Sequence, residues 1–264
     1  MTVFSLSPEN KKIVIVLPAY NAACTLLRTL AEIPQGYNQN VILVDDASSD
    51  DTVEIARQAG LEVFQHPVNR GYGANQKTCY LQALACGADI IVMLHPDHQY
   101  DANVIPRLIL PIANGEADAV FGSRMLGGYP MQGGMPRWKY IANIFLTAAA
   151  NVIFQRYLTE IHSGFRAYSR KYLETVRFED NSNDFVFDTE IIAQGMACNL
   201  YFSEVPITTR YFPEASSINF WRSVWYGFGV LFVLIRYAFH RTGLKRFSQF
   251  EQKLKRTETV DEPS

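Results

Sequence analysis

No CxxC pair and no cysteine/histidine set at zinc-finger spacing occurs among Cys24, Cys79, Cys86 and Cys198, which excludes a readable structural zinc or redox motif. Four isolated cysteines are expected as buried free thiols of a reducing compartment. A basic excess is missing too: 24 Lys and Arg against 26 Asp and Glu give a net charge of −2, so no nucleic-acid partner is expected. Any cationic surface is local. Sixteen Gly and twelve Pro in 264 residues exclude collagen-like and low-complexity chains. The first apolar run, Ile13 to Leu17, is too short for a signal-peptide core, so the expected location is the cytoplasm.

What is present is α/β layering. Short, continuously apolar runs recur at Ile13–Leu17, Val41–Asp45, Leu61–Gln65, Ile90–Leu94 and Ala119–Phe121, with helical apolar spacing between them. Apolar rather than alternating strands predict a mostly parallel sheet covered by helices on both faces. After Arg124 the stretch Leu126–Pro136, rich in Gly, Met and Pro, predicts a loop joining two halves. A helix is expected from Trp138 to about Phe154 and another opened by Asp188-Thr189-Glu190. Strands are expected around Asn199–Val205 and Ile207–Tyr211, and then a last long helix.

That last helix holds Ser223–Ile235, 13 residues without a charge, where a membrane span needs about 20. Seven cations from Arg236 to Arg256 follow against Glu251 alone, and Trp221, Trp225, Tyr226, Phe228 and Phe232 lie beside them. Aromatics next to cations predict an amphipathic helix on an anionic membrane surface; a helix buried on its own sheet is the alternative. The tail after Arg256 is expected to be disordered.

Ligands of α/β sheets gather beyond the carboxyl ends of the strands, so the loops there are the place to look for chemistry. The loop after the first strand has neither GxGxxG nor GxxxxGK[ST], which argues against an NAD enzyme and a P-loop NTPase. It reads Pro18-Ala19-Tyr20-Asn21. The next loops carry Asp45-Asp46-Ala47-Ser48-Ser49-Asp50, Asn69-Arg70-Gly71-Tyr72-Gly73-Ala74 and His95-Pro96-Asp97-His98-Gln99. A carboxylate at a strand end accepts from a base N–H or a ribose hydroxyl, so Asp45 is expected to bind and Asp50 to cap the helix near Thr52. His95, Asp97 and Gln99 alternate, and such a side chain can face a divalent ion whose shell is completed by water and phosphate oxygens. His98 is expected to be a loop histidine.

These four loops, with Gly122-Ser123-Arg124 and Ser163-Gly164-Phe165-Arg166 in order behind them, resemble family 2 glycosyltransferases of the GT-A fold, over roughly residues 12 to 218. The dolichol-phosphate mannosyltransferase-like, polyprenyl-phosphate branch is the most similar. The resemblance implies a Rossmann-like glycosyltransferase domain over 1–217, with a nucleotide-sugar half at about 12–124 and an acceptor half at about 125–217. It is followed by the amphipathic segment 218–247 and a basic, then disordered, tail 248–264.

By that resemblance Pro18, Tyr20, Asn21, Asp45, Asp46, Gly71 and Arg124 would hold the nucleotide sugar. Asp97, Gln99 and His95 would hold a divalent cation, Mn²⁺ or Mg²⁺. Asp97, Arg210 and Asp188 would be catalytic, with Arg210 near phosphate or, alternatively, in a surface ion pair. Three positions depart from the family pattern: His95 and His162 where aspartate is common, and Ala22 where an acid often stands. An imidazole at 95 suits Mn²⁺ better than Mg²⁺, or leaves Asp97 to bind the metal alone.

No QxxRW stands in the second half, so one transfer rather than processive synthesis is expected. The implied reaction is inverting transfer from a nucleotide-sugar donor to a polyprenyl-phosphate acceptor, with the enzyme peripheral at the cytosolic face of a membrane and a homo-oligomer left open. An ionised lipid phosphate needs no general base, whereas a hydroxyl acceptor would need one, Asp188 or Glu190. A soluble transferase and a catalytically idle nucleotide-sugar-binding subunit are the alternatives.

Overall fold

The computed structural model describes residues 11–127, 130–131, 133–211 and 220–253. Five predicted strands form at the expected places: β1 (Ile13–Ala19), β2 (Val41–Asp45), β3 (Glu62–Gln65), β4 (Ile90–Met93) and β5 (Ala119–Ser123). β6 (Arg166–Ser169), which no expectation covers, and β7 (Phe202–Pro206), at the strand expected around Asn199–Val205, complete one seven-stranded sheet in the order β3-β2-β1-β4-β6-β5-β7. β1 pairs in parallel with β2 and β4, β2 with β3, and β5 with β7. Only β6, between β4 and β5, runs antiparallel. The strand expected at Ile207–Tyr211 does not form. Its backbone leaves the sheet: Thr209 bridges Tyr100, the Arg210 N–H donates to the Gln99 carbonyl and the Tyr211 N–H to that of Gly133.

Because successive strand residues point to opposite faces, each apolar run feeds two cores. Val14, Val16, Ile42, Val44, Ile91 and Met93 face α3 (Tyr72–Ala85), α5 (Arg137–Phe154), α7 (Phe187–Ala197) and α8 (Phe220–Thr242). Ile15, Leu17, Leu43, Ile90 and Val92 face α1 (Leu26–Ala31), α2 (Thr52–Gln58) and α4 (Ile105–Ala113). A short α6 (Arg170–Thr175) follows β6. Cys79 and Cys198 are buried as expected, but Cys24 is exposed and Cys86 half-buried.

Helix α8 is docked on the domain through Val230, Val233, Leu234 and Tyr237. Its other side is an exposed stripe, Trp221, Trp225, Phe228, Phe232, Ile235 and Phe239, at alternating spacings of three and four. By length and composition Trp221–Arg241 is apolar enough to cross a membrane, longer than the charge-free run alone suggested. The neighbouring α5 exposes a matching face, Ile141, Ile144, Phe145 and Val152. The expected disordered tail and the segment Phe212–Ser217 lie outside the described residues.

Candidate active site

The sheet order reverses between β1 and β4, because β1 continues to β2 and β3 on one side and β4 to the later strands on the other. A crevice opens at the carboxyl ends beside such a switch point. Here it is a cleft of about 970 Å³. One wall carries Pro18, Tyr20, Asn21, Asp46, Gly71, Asp97 and Gln99; the other comes from Trp138, Lys139 and Asn143 of α5, His162, and Arg222 and Tyr226 of α8.

Backbone strain marks the first wall. Among the described residues five non-glycine residues have positive φ, and three of them, Asn21 (51°), Ala47 (60°) and His98 (58°), sit on the loops after β1, β2 and β4. Each costs on the order of 1 kcal/mol and persists only where neighbours hold it. Asn21 Oδ1 accepts from the Ser49 N–H at 2.8 Å, and the Asn21 N–H donates to Ser48 Oγ at 2.8 Å, so the first two loops are locked together. The N-cap of α2 is Asp51, not the expected Asp50; Asp50 stands one residue before it, where its Oδ1 accepts from the Thr52 N–H and its Oδ2 from the Ala23 N–H, tying the second loop to the first.

Asp45 is not on the cleft wall. It is fully buried, and its carboxylate accepts from the N–H and hydroxyl of Ser48, which shapes the turn. The next residue, Asp46, faces the cleft instead and accepts from the Arg70 N–H at 2.8 Å and the Gly71 N–H at 2.9 Å. Gly71, at φ 96°, opens α3. Gly73 lets the 182–183 backbone approach: its N–H donates to the Asn183 carbonyl at 2.8 Å, and a Cβ there would lie 2.8 Å from Phe187 Cβ.

His95, Asp97 and Gln99 all line the cleft after β4. His95 stacks on Tyr72 with centroids 5.6 Å apart, and its Nε2 lies 3.3 Å from the Tyr72 hydroxyl. Burial holds the imidazole pKa below its ordinary value, against the pull of Asp97. Burial likewise raises Asp97, with His95 opposing. Among the described residues no group of three His, Cys, Asp or Glu could enclose a metal ion. A hard cation at Asp97 therefore fits only as a partly protein-bound ion whose remaining ligands are donor oxygens and water.

Arg124 and Asp188 line the cleft, while Arg210 and Glu190 do not. Arg124 is committed to buried Glu160 and donates from Nη1 to the Tyr211 hydroxyl at 2.8 Å. Asp188 accepts from the Tyr72 hydroxyl at 3.0 Å and Gln76 Nε2 at 3.1 Å, and it pairs with Arg166 at 3.2 Å. Burial works against the Arg166 charge and Asp188 outweighs it, so the guanidinium pKa is held above its usual value. Glu190 accepts from the Ser182 N–H. Arg210 forms an ion pair with Glu32 at 2.8 Å, the alternative reading of that residue, and touches His98 Nε2 at 3.3 Å.

Asn143 and Lys139 line the cleft without belonging to any motif read from the sequence, and Tyr72 and Tyr226, which the sequence shows only as members of a glycine-rich loop and an aromatic run, line it too. His162 Nδ1 lies 2.9 Å from the Tyr226 hydroxyl, and burial pushes the imidazole pKa down to about 3.

A strand-end cleft beside the switch point of a doubly covered, mostly parallel sheet is the ligand site of an open α/β fold. The chain belongs to glycosyl transferase family 2, whose model matches residues 14–177. It is 30% identical over 227 residues to an uncharacterized protein of Methanocaldococcus jannaschii, covering 86% of this chain and 92% of the relative. It is 26% identical over 219 residues to the UDP-N-acetylglucosamine--dolichyl-phosphate N-acetylglucosaminyltransferase of Methanococcus voltae, covering 76% and 87%. Its fold is similar to glucosyl-3-phosphoglycerate synthase from Mycobacterium tuberculosis, solved with Mg²⁺ and UDP, with a TM-score of 0.67 at 20% identity, covering 87% of this chain and 80% of that one.

Proposed function

We propose that this glycosyltransferase moves one sugar, with inversion, from a nucleoside-diphosphate donor to a polyprenyl-phosphate acceptor at the surface of a membrane. The observation that carries the reading is the placement of the cleft between an acidic strand-end wall and the α5/α8 wall, whose outer sides are the exposed apolar faces. Pro18, Tyr20, Asn21, Asp46 and Gly71 would hold the nucleotide and Arg124 would lie near the sugar and phosphates, a reading supported by their shared lining of the cleft. Asp97, with Gln99 and His95 beside it, would bind Mn²⁺ or Mg²⁺ together with donor oxygens. The cation supplies charge stabilisation for the leaving diphosphate.

Two relatives support an anionic acceptor. The Methanococcus voltae protein is named for dolichyl phosphate, and the Mycobacterium tuberculosis enzyme was also solved with phosphoglyceric acid. An ionised phosphate attacks without a general base, so positioning dominates. Asp188 then anchors Tyr72 and Arg166 rather than removing a proton. Arg210, tied to Glu32, would have to leave that pair to reach phosphate.

The bilayer reading rests on the exposed stripes together with flanking Arg137, Arg222, Arg241, Lys245 and Arg246, which suit anionic headgroups. The enzyme then works as a peripheral protein at the cytosolic face. The test is transfer from UDP-, GDP- and dTDP-sugars with Mn²⁺ to a short-chain polyprenyl phosphate, to the matching polyprenol and to phosphoglycerate, with and without anionic vesicles. Product only with the phosphate, stimulated by vesicles, supports the reading. Equal product from phosphoglycerate without vesicles would replace it with a soluble transferase, and donor binding without any transfer would leave a binding subunit.

A further inference from the structure

His66 was not singled out by any motif, yet it is 6% exposed and sits directly behind the cleft carboxylate. Its Nδ1 lies 2.7 Å from Asp46 Oδ1, and its Nε2 lies 2.9 Å from Thr78 Oγ1 of α3. A carboxylate only accepts, so the Nδ1 carries the proton. The ring is thus held at both ends.

We propose that His66 is a positioning residue for the nucleotide-sugar donor, acting through Asp46; this rests on the donor reading given above. Asp46 Oδ1 accepts from His66 and from the Arg70 N–H, and Oδ2 accepts from the Gly71 N–H. A carboxylate offers about four acceptor directions, so the protein fills three and leaves one, on Oδ2. Asp46 lines the cleft, and the remaining direction suits a donor hydroxyl or base N–H. The carbonyl of Asp46 also accepts from Asn69 Nδ2 at 3.2 Å, which ties the same peptide to the 69–71 loop. Removing His66 leaves Oδ1 with the Arg70 N–H as its single protein partner, lets the carboxylate turn, and loosens the Arg70–Gly71 turn that opens α3.

The geometry also gives a rescue. In His66→Asn the amide N–H stands about where Nδ1–H stood, while in His66→Gln it falls nearer Thr78 and Asp46 loses its partner. The full chain, with Mn²⁺, is titrated calorimetrically with UDP, GDP and dTDP, and donor and acceptor KM are measured for each variant alongside Tm. The nucleotide that binds wild type best is expected to bind His66→Ala and His66→Gln at least about tenfold more weakly and His66→Asn within about threefold. Donor KM should rise in parallel while kcat and acceptor KM hold.

Where His66→Ala does not fold, the Asn and Gln variants decide. Equal affinity of Asn and Gln, or loss of affinity only in proportion to Tm, overturns the positioning role and leaves the donor reading intact. A wild-type protein that binds none of the three nucleotides overturns both.

Discussion

Glu160 grips Arg124 across 36 residues of sequence: its Oε2 accepts from the Arg124 backbone N–H at 2.7 Å, and its Oε1 from Nε at 2.8 Å and from Nη2. Glu160 is 0% exposed and Asn143 Nδ2 adds a further donor at 2.6 Å. Burial raises the Glu160 carboxyl, the guanidinium outweighs it, and the net pKa is lowered. The pair joins the end of β5 to the segment before β6 and so fixes the far wall of the cleft.

Breaking this pair from either side strands a buried charge. Arg124→Met and Glu160→Leu should each cost about 3–5 kcal/mol, while the double variant should cost less than the sum. Urea midpoints read the three values, and simple additivity would mean the pair is not coupled.

The His162 imidazole is held at about 3, below its value of 6.5 in the unfolded chain, because burial disfavours the charged form. The unfolded chain therefore takes up a proton first as pH falls, so stability is complete above about pH 6.5 and is lost progressively below it, towards pH 3. The slope approaches about 1.4 kcal/mol per pH unit. His162→Gln should flatten the fall of unfolding free energy between pH 6.5 and 4.5, and an unchanged slope would place the loss elsewhere, His95 included.

Asp97→Asn keeps the shape of the side chain and removes its charge. Turnover at fixed Mn²⁺ should fall by at least about 100-fold with little change in Tm, and raising Mn²⁺ should recover part of it. Turnover equal to wild type would remove Asp97 from the reaction.

At Gly73 a methyl group would press on the Ser182 carbonyl and on Phe187 Cβ, neither of which can give way cheaply. Gly73→Ala should cost about 1–3 kcal/mol and weaken nucleotide binding, since the 182–183 backbone must retreat from the cleft wall. Thermal melts with and without nucleotide check both effects.

The α8 stripe predicts vesicle binding independent of the core. Trp225 and Phe228 are 74% and 61% exposed, so Trp225→Ser with Phe228→Ser should leave Tm nearly unchanged. Binding to anionic vesicles, read by co-sedimentation, should fall at least about tenfold for the apolar area removed. Retained binding would remove α8 from the membrane contact.

The strand-end loops were legible because short apolar runs mark where parallel strands stop, and polar residues crowded directly after them have only one place to go. Asp45 and Asp46 show the limit of that reading. Both are acids at the end of β2, but adjacent side chains point apart, and the Ser48 turn takes one while the 69–71 loop takes the other. Arg210 is a similar case: its partner Glu32 lies 178 residues away, and no local pattern announces it. The run 207–211 has strand-like residues but leaves the sheet after Ile207, whose N–H still donates to the Ser123 carbonyl at the end of β5, because the Arg210 and Tyr211 N–H groups are taken by the Gln99 and Gly133 carbonyls.

By itself, then, the sequence determined the layered α/β class, the position of each parallel strand and the loops that bear polar groups, because apolar periodicity and turn chemistry are local properties. Only the tertiary structure decided which acid faces the cleft, that β6 enters between β4 and β5 antiparallel, and that α5 joins α8 in one cleft wall with apolar outer sides. Those outcomes depend on contacts between residues distant in the chain, where packing and hydrogen-bond partners, not local propensity, select one arrangement.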